Sequence, residues 1–213
     1  MQKKKYLTKA ERSQFSLSKI LQDILVGLIL GDLYIQRSKG YVNPTCRFEQ
    51  GIVHKDYTLH LFELFKSYCM SEPKISNHSP GNKSEVVCSR IRFHTYTLPC
   101  FNELYELFYV NGIKVIPSNI FDLLTPLGLA YWICDDGSFC KRKSVVTLCT
   151  ESFTLEEVTL LANTLNAKWD LKCYINKTNN GGSRVLIPRK SIPVLQSLLK
   201  DIMPSMMIHK IGL

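Results

Sequence analysis

A chain of 213 residues and 24.4 kDa has room for one ordinary domain, or for two small ones that share a core. It is 45% hydrophobic and 21% charged, which suits a buried interior and excludes a disordered tail, and 27 Lys and Arg against 18 Asp and Glu give +9, a charge suited to nucleic acid or an acidic membrane surface. A spanning helix needs about 20 apolar residues, and the longest clean run, Ile24 to Gly31, is far shorter and bounded by Asp23 and Asp32, so an integral membrane protein is not expected.

The chain starts with Lys3, Lys4, Lys5, Lys9 and Arg12 beside Glu11. Residues 1–17 read as a basic arm, and the same stretch could pass for an import presequence. It lacks the apolar core of a secretory signal, so secretion is not expected. From Ser18 to Leu30, Ile20, Leu21, Ile24, Leu25, Leu28 and Ile29 follow helical spacing. Short strands then read over Tyr34–Gln36 and Thr45–Gln50, with Gly40 and Asn43-Pro44 as turn chemistry between them. A helix is predicted from about His54 to Cys69, and a loop punctuated by Pro73, Pro80 and Gly81. Glu85 to His94 alternates as a strand, with Val87, Ile91 and Phe93 on one side and Arg90, Arg92 and His94 on the other. A helix from about Leu98 to Tyr109 closes the first half before Ile116-Pro117.

The second half repeats this order. A helix over about Pro126–Asp135 precedes strands Ser138–Lys143 and Val145–Thr150. Thr154 and Glu157 form a capping box for a helix that runs to about Lys168. Strands Lys172–Lys177 and Arg184–Pro188 flank the hairpin turn Asn179-Asn180-Gly181-Gly182. Ile192 to Ile202 is the closing helix, and Pro204 ends it. Each half reads αββαββα, an internal duplication with subdomains at 18–117 and 118–213. The eight cysteines show no CxxC or finger spacing and lie mostly in apolar stretches, so they read as buried free thiols.

The helices that open the two halves end in acids. Leu25-Val26-Gly27-Leu28-Ile29-Leu30-Gly31-Asp32 and Leu129-Ala130-Tyr131-Trp132-Ile133-Cys134-Asp135-Asp136-Gly137 are apolar all round and should be buried. A helix C-terminus already carries partial negative charge. An Asp added there calls for a compensating cation, and a divalent ion held by hard carboxylate oxygens is the natural candidate. Gly27 and Gly31 allow close backbone approach, but the matching second-half positions hold Tyr131 and Asp135, so the packing of these helices should be asymmetric. Tyr131 and Trp132 read as packing residues.

These two segments resemble the paired motifs of the LAGLIDADG homing endonucleases in their single-chain form. The likeness covers roughly residues 18 to 212 and takes in Arg47-Phe48-Glu49-Gln50 with His54 and Tyr57, and Lys114-Val115-Ile116-Pro117. The resemblance implies an α/β fold of α+β type: a pseudo-twofold duplicated αββαββα structure whose two antiparallel DNA-binding sheets form a saddle in the major groove. It implies that Asp32 and Asp136 meet below the scissile phosphates and bind Mg²⁺, with Mn²⁺ able to substitute and Ca²⁺ as a non-cleaving replacement. Asp135, one step further round the helix, is not expected to be a ligand. Lys114 and Lys210 fit the family's charge-stabilising lysines, and Gln50 its water-positioning residue, with Glu151 or Thr147 as second-half counterparts. Candidate DNA contacts are Arg37, Lys39, Arg47, Glu49, Arg90, Arg92, Lys141, Arg142, Lys143, Lys172, Lys177 and Arg184. The expected activity is Mg²⁺-dependent, site-specific double-strand cleavage of a long asymmetric DNA target by a monomer. The alternative is an RNA maturase that assists splicing of its host intron. Expression from an organellar intron, mitochondrial or chloroplast, goes with either reading.

Overall fold

The computed structural model describes residues 6–78 and 88–213. The basic N-terminal stretch carries a short helix, α1 (Lys9–Ser13). The Thr8 N–H donates to the Glu11 carboxylate at 2.8 Å and the Glu11 N–H to the Thr8 hydroxyl at 3.2 Å, a capping box. Phe15 then meets Tyr68 at 5.7 Å between ring centroids, and the Tyr68 hydroxyl donates to the Ser16 carbonyl at 2.6 Å. The described end of the expected arm is therefore docked on the fold.

Helix α2 (Lys19–Leu30) is buried at every residue from Ile24 to Leu30, as its circumferential apolarity requires. Strands β1 (Tyr34–Gln36) and β2 (Thr45–Gly51) follow, then α3 (Lys55–Phe65), which buries Tyr57, Leu61, Phe62 and Phe65. Strand β3 (Lys74–His78) occupies part of the stretch expected to be loop. Its only large apolar residue, Ile75, is 55% exposed, so no hydrophobic alternation marks it. Its ladder to β4 (Cys88–His94), with Ile75 opposite Ile91, holds it as an edge strand. Glu85 to Val87, expected to open that strand, lie outside the described residues, as do Pro80 and Gly81. The helix expected from Leu98 to Tyr109 is a 3₁₀ turn at Pro99–Phe101 followed by α4 (Asn102–Phe108). Tyr109 instead begins a small hairpin, β5 (Tyr109–Val110) and β6 (Ile113–Lys114).

After α5 (Ile120–Leu123), the second half runs α6 (Pro126–Asp136), β7 (Gly137–Cys140), β8 (Val145–Leu148), α7 (Leu155–Trp169), β9 (Tyr174–Lys177), β10 (Ser183–Ile187) and α8 (Ile192–Leu199). A 3₁₀ segment, Ser205–Ile211, ends the chain. The predicted capping box at α7 is present, with Thr154 N–H to Glu157 at 2.8 Å and Glu157 N–H to Thr154 at 3.3 Å. The two antiparallel sheets have orders β1-β2-β4-β3 and β7-β8-β10-β9, the same topology twice.

Internal contacts divide the chain into two compact units. One comprises the residues up to Ser18 with Asp32–Glu106, and the other Lys19–Gly31 with Leu107–Leu213. In the first, Phe48 and Phe93 stack at 4.4 Å and Phe62 meets Phe93 edge-on at 5.4 Å, sealing the inner face of the sheet. In the second, α2 packs against α6 at Gly27, where any Cβ would overlap the Gly128 carbonyl. Further along, a Cβ on Gly31 would lie 2.5 Å from the Asp135 Cβ. Glycine thus meets glycine at one crossing and aspartate at the other, the asymmetry that the sequence implied. Tyr131 and Trp132 are buried, as packing residues should be. The described cysteines are free thiols; Cys46, Cys69, Cys134 and Cys173 are buried, while Cys140 is exposed. Among the described residues no helix is long and apolar enough to cross a membrane.

Candidate active site and nucleic-acid interface

The ends of α2 and α6 place the two candidate acids. Asp32 follows α2 after Gly31, and Asp136 is the last residue of α6. A lysine reaches the final carbonyls of each helix from a distant element. From β6, Lys114 Nζ donates to the Gly31 carbonyl at 2.8 Å. From the terminal 3₁₀ segment, Lys210 Nζ donates to the carbonyls of Cys134 and, at 3.0 Å, Asp135. Gly31 and Asp135 are the residues immediately before the two acids, so the lysines hold equivalent points of the duplicated fold. A cation there offsets the negative helix end. The structure thus puts each lysine on the backbone adjoining its acid, which spacing in the sequence could only suggest.

Gln50 Nε2 donates to Asp32 Oδ2 at 2.8 Å. In β2, Cys46 and Phe48 point to the core while Arg47 and Glu49 are exposed. Gln50 shares the core-side parity but lies where the strand runs out, which lets its amide reach Asp32. The second half departs from this. Tyr34 opposite Arg47 matches Ser138 opposite Thr147, each pair starting two residues past the acid. On that register Thr150, not Glu151 or Thr147, stands where Gln50 does. Thr150 is buried and donates to the Ser183 carbonyl at 2.8 Å, and Glu151 is taken by Arg184. Near Asp136 sits Cys149, whose N–H donates to the Asp136 carbonyl oxygen at 3.2 Å. Burial, Glu151 and Asp136 push its thiol pKa up, so it stays protonated.

The predicted DNA contacts divide by location. Arg47, Glu49, Arg90 and Arg92 lie on the outward face of the first sheet, with Arg90 paired to Glu49 at 2.7 Å. Lys39 is exposed in the β1–β2 loop, and Lys141, Arg142 and Lys143 in the β7–β8 turn. Arg37 is engaged within its own unit, at 2.7 Å from Glu106 and stacked 4.2 Å over Tyr105. Lys172 precedes β9 with φ 49° and pairs with Asp170. Lys177 is exposed but sits opposite the buried Ser183, on the core-side parity of β9. Arg184 faces outward and is held by Glu151, which raises its pKa. The sequence reading missed Lys74. It lies opposite Arg92 on β3 and lines a cleft of about 330 Å³ with Arg47, Glu49, Glu72, Arg92 and His94. Its strand shows no buried residue from Lys74 to Asn77 and so gave it no signal.

Residues 22–195 match the sequence model of the LAGLIDADG DNA endonuclease family. The chain belongs to this family. It is 34% identical over 199 residues to a probable intron-encoded endonuclease of Wickerhamomyces canadensis, spanning 90% of this chain and 84% of that one. It is 32% identical over 200 residues to the cytochrome b mRNA maturase bI2 of Debaryomyces hansenii, spanning 92% of this chain and 75% of the relative. Among solved structures it resembles the homing endonuclease I-WcaI bound to its DNA recognition sequence, with TM-score 0.86 and 30% identity over 92% of this chain and 88% of the other.

As a LAGLIDADG protein the chain is a DNA endonuclease of the divalent-metal-dependent kind. Its donor set suits such an ion. Among the described residues no three His, Cys, Asp or Glu side chains gather at one point, so a closed protein cage of the zinc or calcium type has no basis there. The carboxylates of Asp32 and Asp136 are hard oxygen donors of the kind that suits an ion which keeps water and substrate phosphate as its other ligands.

Proposed function

We propose that this LAGLIDADG chain acts as a monomer on a long asymmetric DNA site and hydrolyses one phosphodiester in each strand with Mg²⁺. The single observation behind this is the repeated seating of a lysine on the backbone carbonyl just before an acid at two helix ends, once per half, in the subdomains we place at 18–117 and 118–213. When bound, Mg²⁺ polarises the scissile phosphate and eases deprotonation of water. Asp32 and Asp136 supply the oxygens that hold it, one acid per strand. Gln50 fixes the Asp32 carboxylate through Oδ2 and offers its amide to orient the attacking water. Lys114 and Lys210, already fixed on backbone, place positive charge beside each acid to stabilise charge that develops on phosphate. Mn²⁺ should replace Mg²⁺, and Ca²⁺ should support binding without cutting.

The decisive experiment offers a random-site duplex library to the protein in Mg²⁺ and sequences the cut ends. The expected result is one long, non-palindromic site. Loss of all cutting, or sedimentation showing two chains per duplex, would overturn the reading. The likeness to a cytochrome b mRNA maturase supports a second activity, assistance to splicing of a host intron RNA. A self-splicing assay with and without protein tests it. The intron-encoded relatives support an organellar intron, mitochondrial or chloroplast, as the source of the chain.

A further inference from the structure

The duplicated topology allows the outward faces of the two sheets to be compared position by position. Phe48 opposite Phe93 corresponds to Leu148 opposite Val185, and Tyr34 opposite Arg47 to Ser138 opposite Thr147. On this correspondence Arg47 stands where the second sheet has Thr147, His94 where it has Leu186, and Lys74 where it has Asn176. Arg90 stands where it has Gly182. Arg92 keeps a cationic counterpart, Arg184, but that guanidinium is held by Glu151.

The first face is therefore strongly cationic. Arg47, Lys74 and Arg92 line one cleft and form no ion pair among the described residues, although Glu49 and Glu72 also reach it. Burial, and then the charge of these three groups, keeps the His94 imidazole pKa below its ordinary value. On the second face Arg184 is tied to Glu151 and the cations Lys141, Arg142 and Lys143 sit in the turn, which leaves methyls and neutral groups along the strands. Val145 and Leu186 are half-buried and Tyr174 is 48% exposed, with Thr147 between.

We infer that the two faces read chemically different half-sites: guanine edges through Arg47 and Arg92 on the first sheet, thymine methyls through Val145, Thr147 and Leu186 on the second. Arginine forks match guanine O6 and N7, whereas apolar side chains and the threonine methyl match the thymine 5-methyl in the major groove. The assignment rests on the endonuclease reading above. It adds the base composition of the target and says which sheet reads which half.

The test selects bound duplexes from a random library and then assays the winners for cutting in Mg²⁺. The expected sites carry fixed G·C pairs in one half and thymines in the other. Arg47→Gln and Arg92→Gln should each relax the preference at one guanine by about tenfold or more and leave the other half unchanged. Deoxyuridine in place of thymidine should weaken binding about fourfold per methyl contacted in the thymine half, and have no effect in the guanine half. Guanines shared evenly between halves, or insensitivity to deoxyuridine, would overturn the assignment. So would arginine variants that weaken all sequences alike with a shallower salt slope, the mark of phosphate contacts. Duplexes selected but never cut would remove the endonuclease reading, with base composition still deciding this one. If no duplex is bound, both fall.

Discussion

Asp135 and Asp136 adjoin in sequence but point about 100° apart around their helix. Asp135 packs against Gly31, and the chain enters β7 directly after Asp136. Asp32→Asn and Asp136→Asn keep shape but lose a hard anionic ligand, so each should abolish or cripple cleavage with DNA affinity nearly intact. Asp135→Asn should be much milder. Single-turnover cleavage beside a gel-shift titration checks all three, and a wild-type rate in either of the first two refutes the assignment. Lys114→Met and Lys210→Met should slow the chemical step by roughly 10- to 100-fold under saturating enzyme. A mere fall in affinity, at an unchanged single-turnover rate, would make them phosphate contacts. The place of the acids and lysines at the two helix ends was legible because each occurs twice at matching positions. Gln50 was legible only as a type, since its reach depends on β2 ending there. Its true register partner, Thr150, could not be found without the strand pairing.

At the scale of elements, the α2–α6 crossing leaves no room for a side chain at Gly27. Gly27→Ala would put a methyl into the Gly128 carbonyl, and backbone on both sides cannot step aside as a flexible side chain would. The expected cost is about 3 kcal/mol or more, read as a lower midpoint in denaturant with a similar slope. An unchanged midpoint would mean that the helices pack differently. Elements with their own chemistry were legible: α2 and α6 from continuous apolarity, α7 from its capping box, the β9–β10 hairpin from its Asn-Gly turn. Strand β3 was not, because a strand whose Ile75 is exposed is defined by its neighbour. The β5–β6 hairpin was hidden too, since Val110 and Ile113 are exposed and the buried Tyr109 reads as the end of the preceding helix.

For the molecule as a whole, the imidazoles of His60 and His94 set a direction for acid sensitivity. Burial lowers the pKa of both below 6.5, and for His94 nearby Arg47, Lys74 and Arg92 add to the effect. As the pH falls below about 6.5, the unfolded chain takes up protons that the folded one resists. Their contribution is therefore complete above that value and is lost progressively on acidification. The melting temperature should drop between about pH 7.5 and about pH 5.5, and His60→Gln with His94→Gln should flatten that dependence. A double variant with the wild-type slope would place the sensitivity elsewhere. The repeated topology was legible from the order of elements, whereas the unequal charge of the two sheets emerged only from registers.

Helix α2 belongs by its contacts to the unit that also holds Leu107–Leu213, although it is made long before those residues. During synthesis at 5–20 residues per second, roughly 100 residues must follow before α6 exists, a delay of about 5–20 s. For that time a helix destined for the interior from Ile24 to Leu30 has no partner helix. The nascent chain must be sheltered through the interval, and any product cut short before Pro126 carries a greasy surface with nothing of its own to cover it. Premature termination before Pro126 should therefore yield aggregates rather than a half-sized DNA binder.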